Sequence, residues 1–400
     1  MEAIYLDHNA TTPLDPRVLQ AMLPFFQDEF GNAASRHHAF GRRARAAVEQ
    51  ARQQVARLIG AAPEEIVWTS GATESNNLAI LGTAAAYPER RHLVTSAVEH
   101  KAVLDPCRHL ARQGHTLTVL PVDAGGLIDP AALAAALRPD TLLVSVMAAN
   151  NEIGTLQPLA EIGRICSDHG ALYHCDAAQA VGRVALEVQA LGIDLLSLSG
   201  HKLHGPKGSG ALYLRGKRPR VRCRPLLHGG GHENGLRSGT LDVPAIVGLG
   251  AACAIAREEL EGEAARQAGL RERLWARLQE GLSAIARNGH PVRCLPNTLN
   301  VRFDGLSAEQ ILWALGDELA VSSGSACTTA SLEPSHVLCA LGLSDDEAFS
   351  SLRFSLGRFT TEQQIDRAAE RVIEVVHRLR AALPGGADAG ARAVLAGLFA

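Results

Sequence analysis

The sequence predicts an α/β fold with a mostly parallel sheet, followed by a smaller α+β C-terminal unit. Two observations carry this. Between about Glu65 and Leu203 short β-rich apolar runs alternate with helical patterns, the arrangement of a sheet covered by helices on both faces. Each of these runs also ends in a cluster of polar or small residues, and the carboxyl ends of strands are where such sheets bind their ligands. The length allows it: 400 residues, 46% hydrophobic and 20% charged, can bury a large core and more than one domain.

The formal net charge of −3 offers no global attraction for DNA or for an anionic membrane. The first residues lack a basic stretch followed by an apolar one, and no apolar run is long enough to span a bilayer, so a cytoplasmic protein is expected. The 8 cysteines include no Cys-x-x-Cys pair and no regular spacing. Neither a zinc site nor a disulfide framework is expected, and positions such as Cys166 and Cys253 read as buried small hydrophobes.

In chain order, residues 1–35 lack periodicity and read as an arm lying across the body. Arg42 to Ile59 has apolar residues at helical spacing and Gly60 as its stop. Glu65 to Thr69 reads as a strand running into Ser70-Gly71-Ala72-Thr73-Glu74. Small and hydroxyl residues at a strand-to-helix turn offer free backbone N–H groups to an anion such as phosphate, with Thr73 as the hydroxyl and Ala72 as the backbone donor. Taken alone, the same residues serve equally as an ordinary helix cap.

His92 to Ser96 is the next strand and ends at Glu99-His100-Lys101, where the flat imidazole of His100 suits stacking on an aromatic ligand. Thr141 to Met147 ends at Asn150-Asn151-Glu152, polar candidates that a turn would also use. Ala171 to Cys175 leads directly into Asp176-Ala177-Ala178-Gln179. A carboxylate there could hold a heterocyclic nitrogen protonated, with Gln179 reaching a neighbouring ring oxygen one helical turn on; an N-cap role for Asp176 coexists with this.

Ile193 to Leu196 then leads to Ser197-Leu198-Ser199-Gly200-His201-Lys202. A lysine just past the end of a short buried strand, flanked by hydroxyls, a histidine and glycines, reads as a Schiff-base lysine. One lysine taken alone is more commonly a solvated one, so the other clusters must agree with it.

Arg215 to Arg224 is a dense basic run, read as a solvated loop in preference to a docking surface. His228-Gly229-Gly230-Gly231-His232 is too glycine-rich for a helical metal pair and suits close backbone approach at a subunit contact. Arg237-Ser238-Gly239-Thr240 adds a cation and a hydroxyl for a phosphate. A long or broken helix is expected from Pro244 to about Ile285. Beyond it come a strand at Leu299–Phe303, a capping box at Ser307–Gln310 opening a helix to Leu319, a strand at Ser351–Leu356 and a closing helix from Thr361 to Leu383. Between them Cys327 is centred in a Ser/Gly/Ala/Thr segment with no periodicity to bury it, which makes it the exposed, reactive thiol. Arg353, a planar fork of five donors, suits a substrate carboxylate, against the alternative of a structural ion pair.

Together these stretches resemble the NifS/IscS cysteine desulfurases. The resemblance rests on Thr69 to Asn77, Glu99-His100-Lys101, Asn150-Asn151-Glu152, Asp176 to Gln179, Ser199 to Lys202, Arg237 to Thr240, Ser322 to Thr328 and Ser351 to Ser355, in register from about Tyr5 to about Leu383. It implies the class V aminotransferase-type fold, a homodimer and pyridoxal 5′-phosphate. Lys202 is then the lysine that carries the cofactor, Asp176 the partner of the pyridine nitrogen, Gln179 the contact to the ring hydroxyl and His100 the stacking ring. Thr73, Ser199, His201 and the backbone of Ala72 would bind the phosphate, joined by Thr240 from the other subunit. Asn151, beside the cofactor, and Arg353 would hold the substrate carboxylate. Lys202, Cys327 and His100 are the implied catalytic residues. L-cysteine would give alanine and a persulfide on Cys327, passed to an iron–sulfur scaffold or another sulfur acceptor.

The Ser-Ser-Gly-Ser-Ala-Cys-Thr form around Cys327 resembles the long-loop group. No resident metal is implied; a transient iron–sulfur cluster would sit on Cys327. Asp7 to Thr12 and Pro334 to Val337 lean toward the nitrogenase-associated type, Gly229 to Glu233 and Arg237 to Thr240 toward the housekeeping type. The expected organisation is an arm, 1–15, counted with the small domain; a large cofactor domain, 16–255; a small domain, 256–383, with the bridging helix and the cysteine loop at 321–333; and an Ala/Gly-rich tail, 384–400. Two rivals stay open at the level of sequence: a lyase that releases sulfur or selenium without a cysteine relay, and an inactive scaffold that binds sulfur-transfer proteins.

Overall fold

The computed structural model describes residues 3–217, 219–323 and 333–383. The arm begins as β1 (Ile4–Tyr5), which pairs in parallel with Leu319–Ala320 far along the chain. Ile4 and Leu6 are buried in one apolar cluster with Leu352, Phe354 and Val372, so the arm is stitched to the C-terminal part of the molecule. Helix α1 (Pro16–Met22) is capped by the Asp15 carboxylate, which accepts from the Arg17 N–H; Pro16 sits in the first turn, where a missing N–H costs nothing. One more turn, α2 (Pro24–Gln27), precedes α3 (Ala39–Ile59). That helix starts earlier than its apolar spacing suggests because His38 caps it through Nδ1, and it stops at Gly60 with a left-handed φ of 68°.

The large sheet follows as strands and helices in alternation: β2 (Ile66–Thr69), α4 (Ala72–Ala86), β3 (His92–Ser96), α5 (Lys101–Arg112), β4 (Thr116–Leu120), α6 (Pro130–Ala136), β5 (Thr141–Ser145), α7 (Leu159–His169), β6 (Leu172–Asp176), β7 (Leu195–Ser199) and β8 (Gly210–Leu214). The strand order is β2-β8-β7-β6-β5-β3-β4. The five strands from β7 to β4 are parallel, whereas β8 runs antiparallel to both of its neighbours. Strands β3, β5, β6 and β7 are buried along their whole length, which is why they read as continuous apolar runs. Strands β4 and β8 go beyond the strands expected; β4 is a half-exposed edge and β8 emerges from a glycine-rich loop.

One expectation fails between β6 and β7. The stretch after Asp176 is a succession of turns and not a helix. Gly182 adopts a φ of 76°, and a Cβ there would lie 3.1 Å from the Ala256 side chain, so the chain reverses tightly against the core at a position where only glycine is unstrained.

Helix α8 (Val243–Gly281) is one unbroken element of 39 residues. Its first half packs Leu249, Ala252 and Cys253 into the core under the large sheet; its second half packs Leu270, Leu274 and Leu278 into the C-terminal cluster. Ile285, expected within that helix, instead opens β9 (Ile285–Asn288), which joins β10 (Thr298–Phe303). Ser307 and Gln310 form the expected capping box of α9 (Ala308–Leu315), which ends before Leu319 because Gly316 stops it and Leu319–Ala320 is β11, the partner of β1. Two short helices, α10 (His336–Ala340) and α11 (Asp345–Phe349), precede β12 (Ser351–Ser355) and the closing α12 (Glu362–Ala381). Strands β12, β10 and β9 form a three-stranded antiparallel sheet. No described helix is long and apolar enough to cross a membrane.

Candidate active site

The carboxyl ends of the central strands and the start of α4 open on one cavity of about 830 Å³. At one end the turn after β2 places Gly71 at the N-cap of α4 with no side chain capping it. Backbone N–H groups and the positive end of the helix dipole are thus directed at the cavity beside Ala72 and Thr73, which line it. The turn can come this close to β8 because both sides are glycine: a Cβ on Gly210 would lie 2.5 Å from the Gly71 Cα. Ser199, at the end of β7, and His201 line the same end. His201 Nδ1 is 3.1 Å from Thr11 Oγ1, and burial, with the charges of Lys202 and Lys207, pushes its pKa down to about 4. It is a neutral ring at physiological pH.

Across the cavity, Asp176 closes β6 with its carboxylate held on both oxygens. Oδ2 accepts from Asn76 Nδ2 at 2.7 Å, and Oδ1 from the Ala178 N–H at 3.0 Å. His100 caps α5, its Nδ1 accepting from the Ala102 N–H at 3.0 Å, which leaves the ring proton to Nε2. Behind it Glu99 is fully buried. Its Oε1 accepts from Ser96 Oγ and from the Met147 N–H, both at 2.8 Å, and burial pushes its carboxyl up to about 8.

Lys202 ends the 3₁₀ turn Gly200–Lys202 that follows β7, and its Nζ donates to the carbonyls of Asn9 and Ala10, the latter at 2.8 Å. Thr12 ties the arm to this turn: its N–H and its hydroxyl both donate to the His201 carbonyl, at 3.0 and 2.9 Å. Gln179 donates from Nε2 to the same Asn9 carbonyl at 2.9 Å, and its Oε1 accepts from Arg183 at 2.6 Å.

The third side of the cavity comes from the C-terminal part of the chain. Arg353 on β12 is 2% exposed; Nη1 donates to the Asn151 carbonyl at 2.9 Å and Nη2 to Asp7 Oδ1 at 2.7 Å. Its backbone bridges Ser322 in both directions, at 2.7 and 3.2 Å. Further along, Ser335 donates to Glu152 Oε2 at 2.5 Å and His336 Nε2 lies 3.0 Å from the Glu99 carbonyl. Cys327 belongs to residues 324–332, which fall outside the described residues.

The residues expected from sequence at Ala72, Thr73, His100, Asn151, Asp176, Gln179, Ser199, His201, Lys202 and Arg353 all line this cavity. Thr240 does not. It is exposed on its own chain, and the neighbouring Arg237 is committed to Glu74 at 2.9 Å. The basic run also has partners: Arg215 pairs with Asp194 at 2.8 Å, Lys217 with Glu64 at 3.3 Å, and Arg222 stacks 4.3 Å over Tyr87. Three residues of the site were not singled out from sequence: Asn76, Arg183 and Asn9. Asn76 is the one with a readable signal, since it lies one helical turn beyond Thr73 and so near the same end of α4. Three thiols away from the cavity show the opposite of activation, burial pushing Cys107, Cys223 and Cys253 up to about 12.

Comparison with known proteins gives one answer. The class-V aminotransferase family matches residues 4–368. Cysteine desulfurase IscS of Anaeromyxobacter sp. (strain K) is 55% identical over 382 residues, 95% of this chain and 94% of that protein. Among solved structures, a NifS-like protein superposes with a TM-score of 0.87 at 37% identity, covering 94% of this chain and 100% of the other. SspA in complex with cysteine does so with a TM-score of 0.79 at 40% identity, covering 90% and 100%.

Proposed function

From the premise that this chain belongs to the class-V aminotransferase family and is a cysteine desulfurase, we propose how its residues take sulfur from L-cysteine. The enzyme uses pyridoxal 5′-phosphate, and the donor set in the cavity fits that group. The uncapped start of α4 beside Thr73 and Ser199 suits a dianionic phosphate. The Asp176 carboxylate, oriented by Asn76, suits a pyridine N–H, Gln179 a ring oxygen and Lys202 the aldehyde carbon.

When bound, the cofactor supplies the electron sink that makes the substrate α-proton acidic and the Cβ–S bond breakable. Asp176 holds the proton on the ring nitrogen. The phosphate is anchored by the Ala72 N–H, Thr73, Ser199 and neutral His201, with Thr240 of a second copy completing the cradle in a homodimer. Arg353 and Asn151 hold the cysteine carboxylate and so orient the α-hydrogen toward Lys202. Lys202 Nζ would hold the cofactor and, when free, would take that proton and return one to the product. His100 would stack on the cofactor ring and serve as acid or base at the sulfur. Cys327 attacks the substrate sulfur as a thiolate: a Cys327 S–S bond forms, the substrate Cβ–S bond breaks, and protonation at that carbon yields alanine. The persulfide passes to a sulfur-acceptor protein, for which an iron–sulfur scaffold is our assignment.

The observation that supports this reading most is the convergence of Lys202, Asp176 and Arg353, far apart in sequence, on one cavity beside an uncapped helix start. Borohydride reduction of the holoenzyme followed by peptide mapping tests it. A pyridoxyl group fixed on the Lys202 peptide is the expected result; the group on any other lysine contradicts the assignment.

A further inference from the structure

Arg183 is buried beneath the cavity, and among the described residues the acceptors it meets are all uncharged oxygens. Nη1 donates to Gln179 Oε1 at 2.6 Å and to Asn9 Oδ1 at 3.0 Å; Nη2 donates to the carbonyls of Lys202 at 3.1 Å and His8 at 3.5 Å. Taking a guanidinium out of water is costly when no carboxylate compensates it, so a cation held only by dipoles is an expensive feature of a core. Its planar fork is what allows one side chain to hold three separated segments at once: the arm, the turn after β6 and the turn after β7.

The consequence falls on Gln179. A side-chain amide has an acceptor end and a donor end, and a cation on Oε1 decides which way round it sits. Nε2 then faces the other side, where it donates to the Asn9 carbonyl at 2.9 Å, the same carbonyl that receives Lys202 Nζ. Both groups that must engage the cofactor therefore rest on one arm carbonyl, and the arm's own Asn9 side chain is held by Arg183.

We propose that Arg183 is a positioning residue: by holding Gln179 Oε1 it makes the amide N–H the group presented to the cofactor's ring oxygen, and it ties the arm at Asn9 to the backbone of Lys202. This rests on the ring-oxygen role given to Gln179 above. Without the guanidinium the amide is free to turn its oxygen toward an anionic ring oxygen, which repels it. A lysine at 183 would keep the charge but could not bridge the same spread of acceptors.

The test is spectroscopic and uses holoenzyme with Gln179→Ala, Arg183→Met, Arg183→Lys and the double variant. Gln179→Ala should shift the visible absorption maximum of the bound cofactor and weaken cofactor affinity about tenfold, the scale of one lost charge-assisted hydrogen bond. Arg183→Met should shift the maximum in the same direction with a similar loss of affinity, and the double variant should be no worse than either single one. Arg183→Lys should give the same shift at smaller size, and it carries the test if Arg183→Met does not fold. A purely structural role would lower the melting temperature without moving the absorption maximum. The inference is overturned if Gln179→Ala shifts the maximum while neither Arg183 variant does, or if the effects add. If Gln179→Ala leaves the spectrum unchanged, the ring-oxygen role itself fails and the inference falls with it, while the attachment to Lys202 is judged separately by the reduction experiment.

Discussion

Asn76 donates its side-chain N–H to Asp176 Oδ2 at 2.7 Å, and its own Oδ1 is buried without a hydrogen-bond partner among the described residues. An orphaned amide oxygen normally costs about 1–3 kcal/mol. That it persists beside the carboxylate marks Asn76 as an orienting group for Asp176 in preference to a core residue. Asn76→Ala is expected to lower kcat for alanine formation roughly tenfold, the usual scale for losing the hydrogen bond that orients a functional group. Asn76→Gln, too long for the space, should not restore it. Steady-state kinetics on cysteine checks both; wild-type kcat in Asn76→Ala would remove the orienting role.

Arg353 has two readings, and kinetics separates them. As the carboxylate-binding fork it predicts that Arg353→Lys raises KM for cysteine roughly ten- to a hundredfold, since a point charge cannot make the bidentate contact. As a purely structural partner of Asp7, 2.7 Å away, it predicts that Arg353→Lys and Asp7→Asn lower the melting temperature alike and leave KM unchanged.

Glu99 makes stability depend on pH in a defined direction. Burial first, with the nearby Asp176 charge adding to it, raises its carboxyl from 4.5 to about 8, so the folded state holds a proton that the unfolded chain has already lost in that window. Its contribution is fully present below about pH 4.5 and is lost as pH rises through about 8. Glu99→Gln keeps an oxygen for Ser96 and the Met147 N–H but cannot ionise. The melting temperature of the wild type should therefore fall relative to Glu99→Gln between pH 6 and pH 9; a constant difference across that range contradicts the buried neutral carboxyl.

The loop before α8 is held by an ion pair. Arg52 meets both oxygens of Glu233, at 2.9 and 3.0 Å, and also donates to the Ile66 carbonyl at 2.6 Å. Glu233 and Asn234 both adopt left-handed backbone conformations, at φ of 52° and 54°, to deliver that carboxylate. Glu233→Ala leaves the buried guanidinium only the exposed carboxylate of Glu49, 3.3 Å from its Nε, so a loss of up to about 3–5 kcal/mol is expected on chemical denaturation. A loss under about 1 kcal/mol would mean the pair is solvated like a surface bridge.

Much of the site was legible in the sequence for one physical reason. Strands β3, β5, β6 and β7 are buried along their length, so each reads as an apolar run, and whatever follows such a run lies at the ligand-binding edge. His100, Asn151, Asp176 and Lys202 were found this way. Strand direction was not legible: the apolar pattern of β8 is the same whichever way it runs. Arg183 was not legible either, because its place beneath the cavity depends on the turn at Gly182, where a helix was expected. Asn9 receives Lys202 and Gln179 on its backbone carbonyl, which any residue carries.

The most direct measurement is mass spectrometry of the Cys327 peptide after brief exposure of the holoenzyme to L-cysteine, with alanine measured in the same sample. The account predicts one added sulfur on that peptide in step with alanine, and neither in Lys202→Ala. Alanine formed at the full rate with Cys327 unmodified, or in Cys327→Ala, would contradict the cysteine relay and favour a lyase; the absence of both products from loaded wild-type enzyme would contradict the account as a whole.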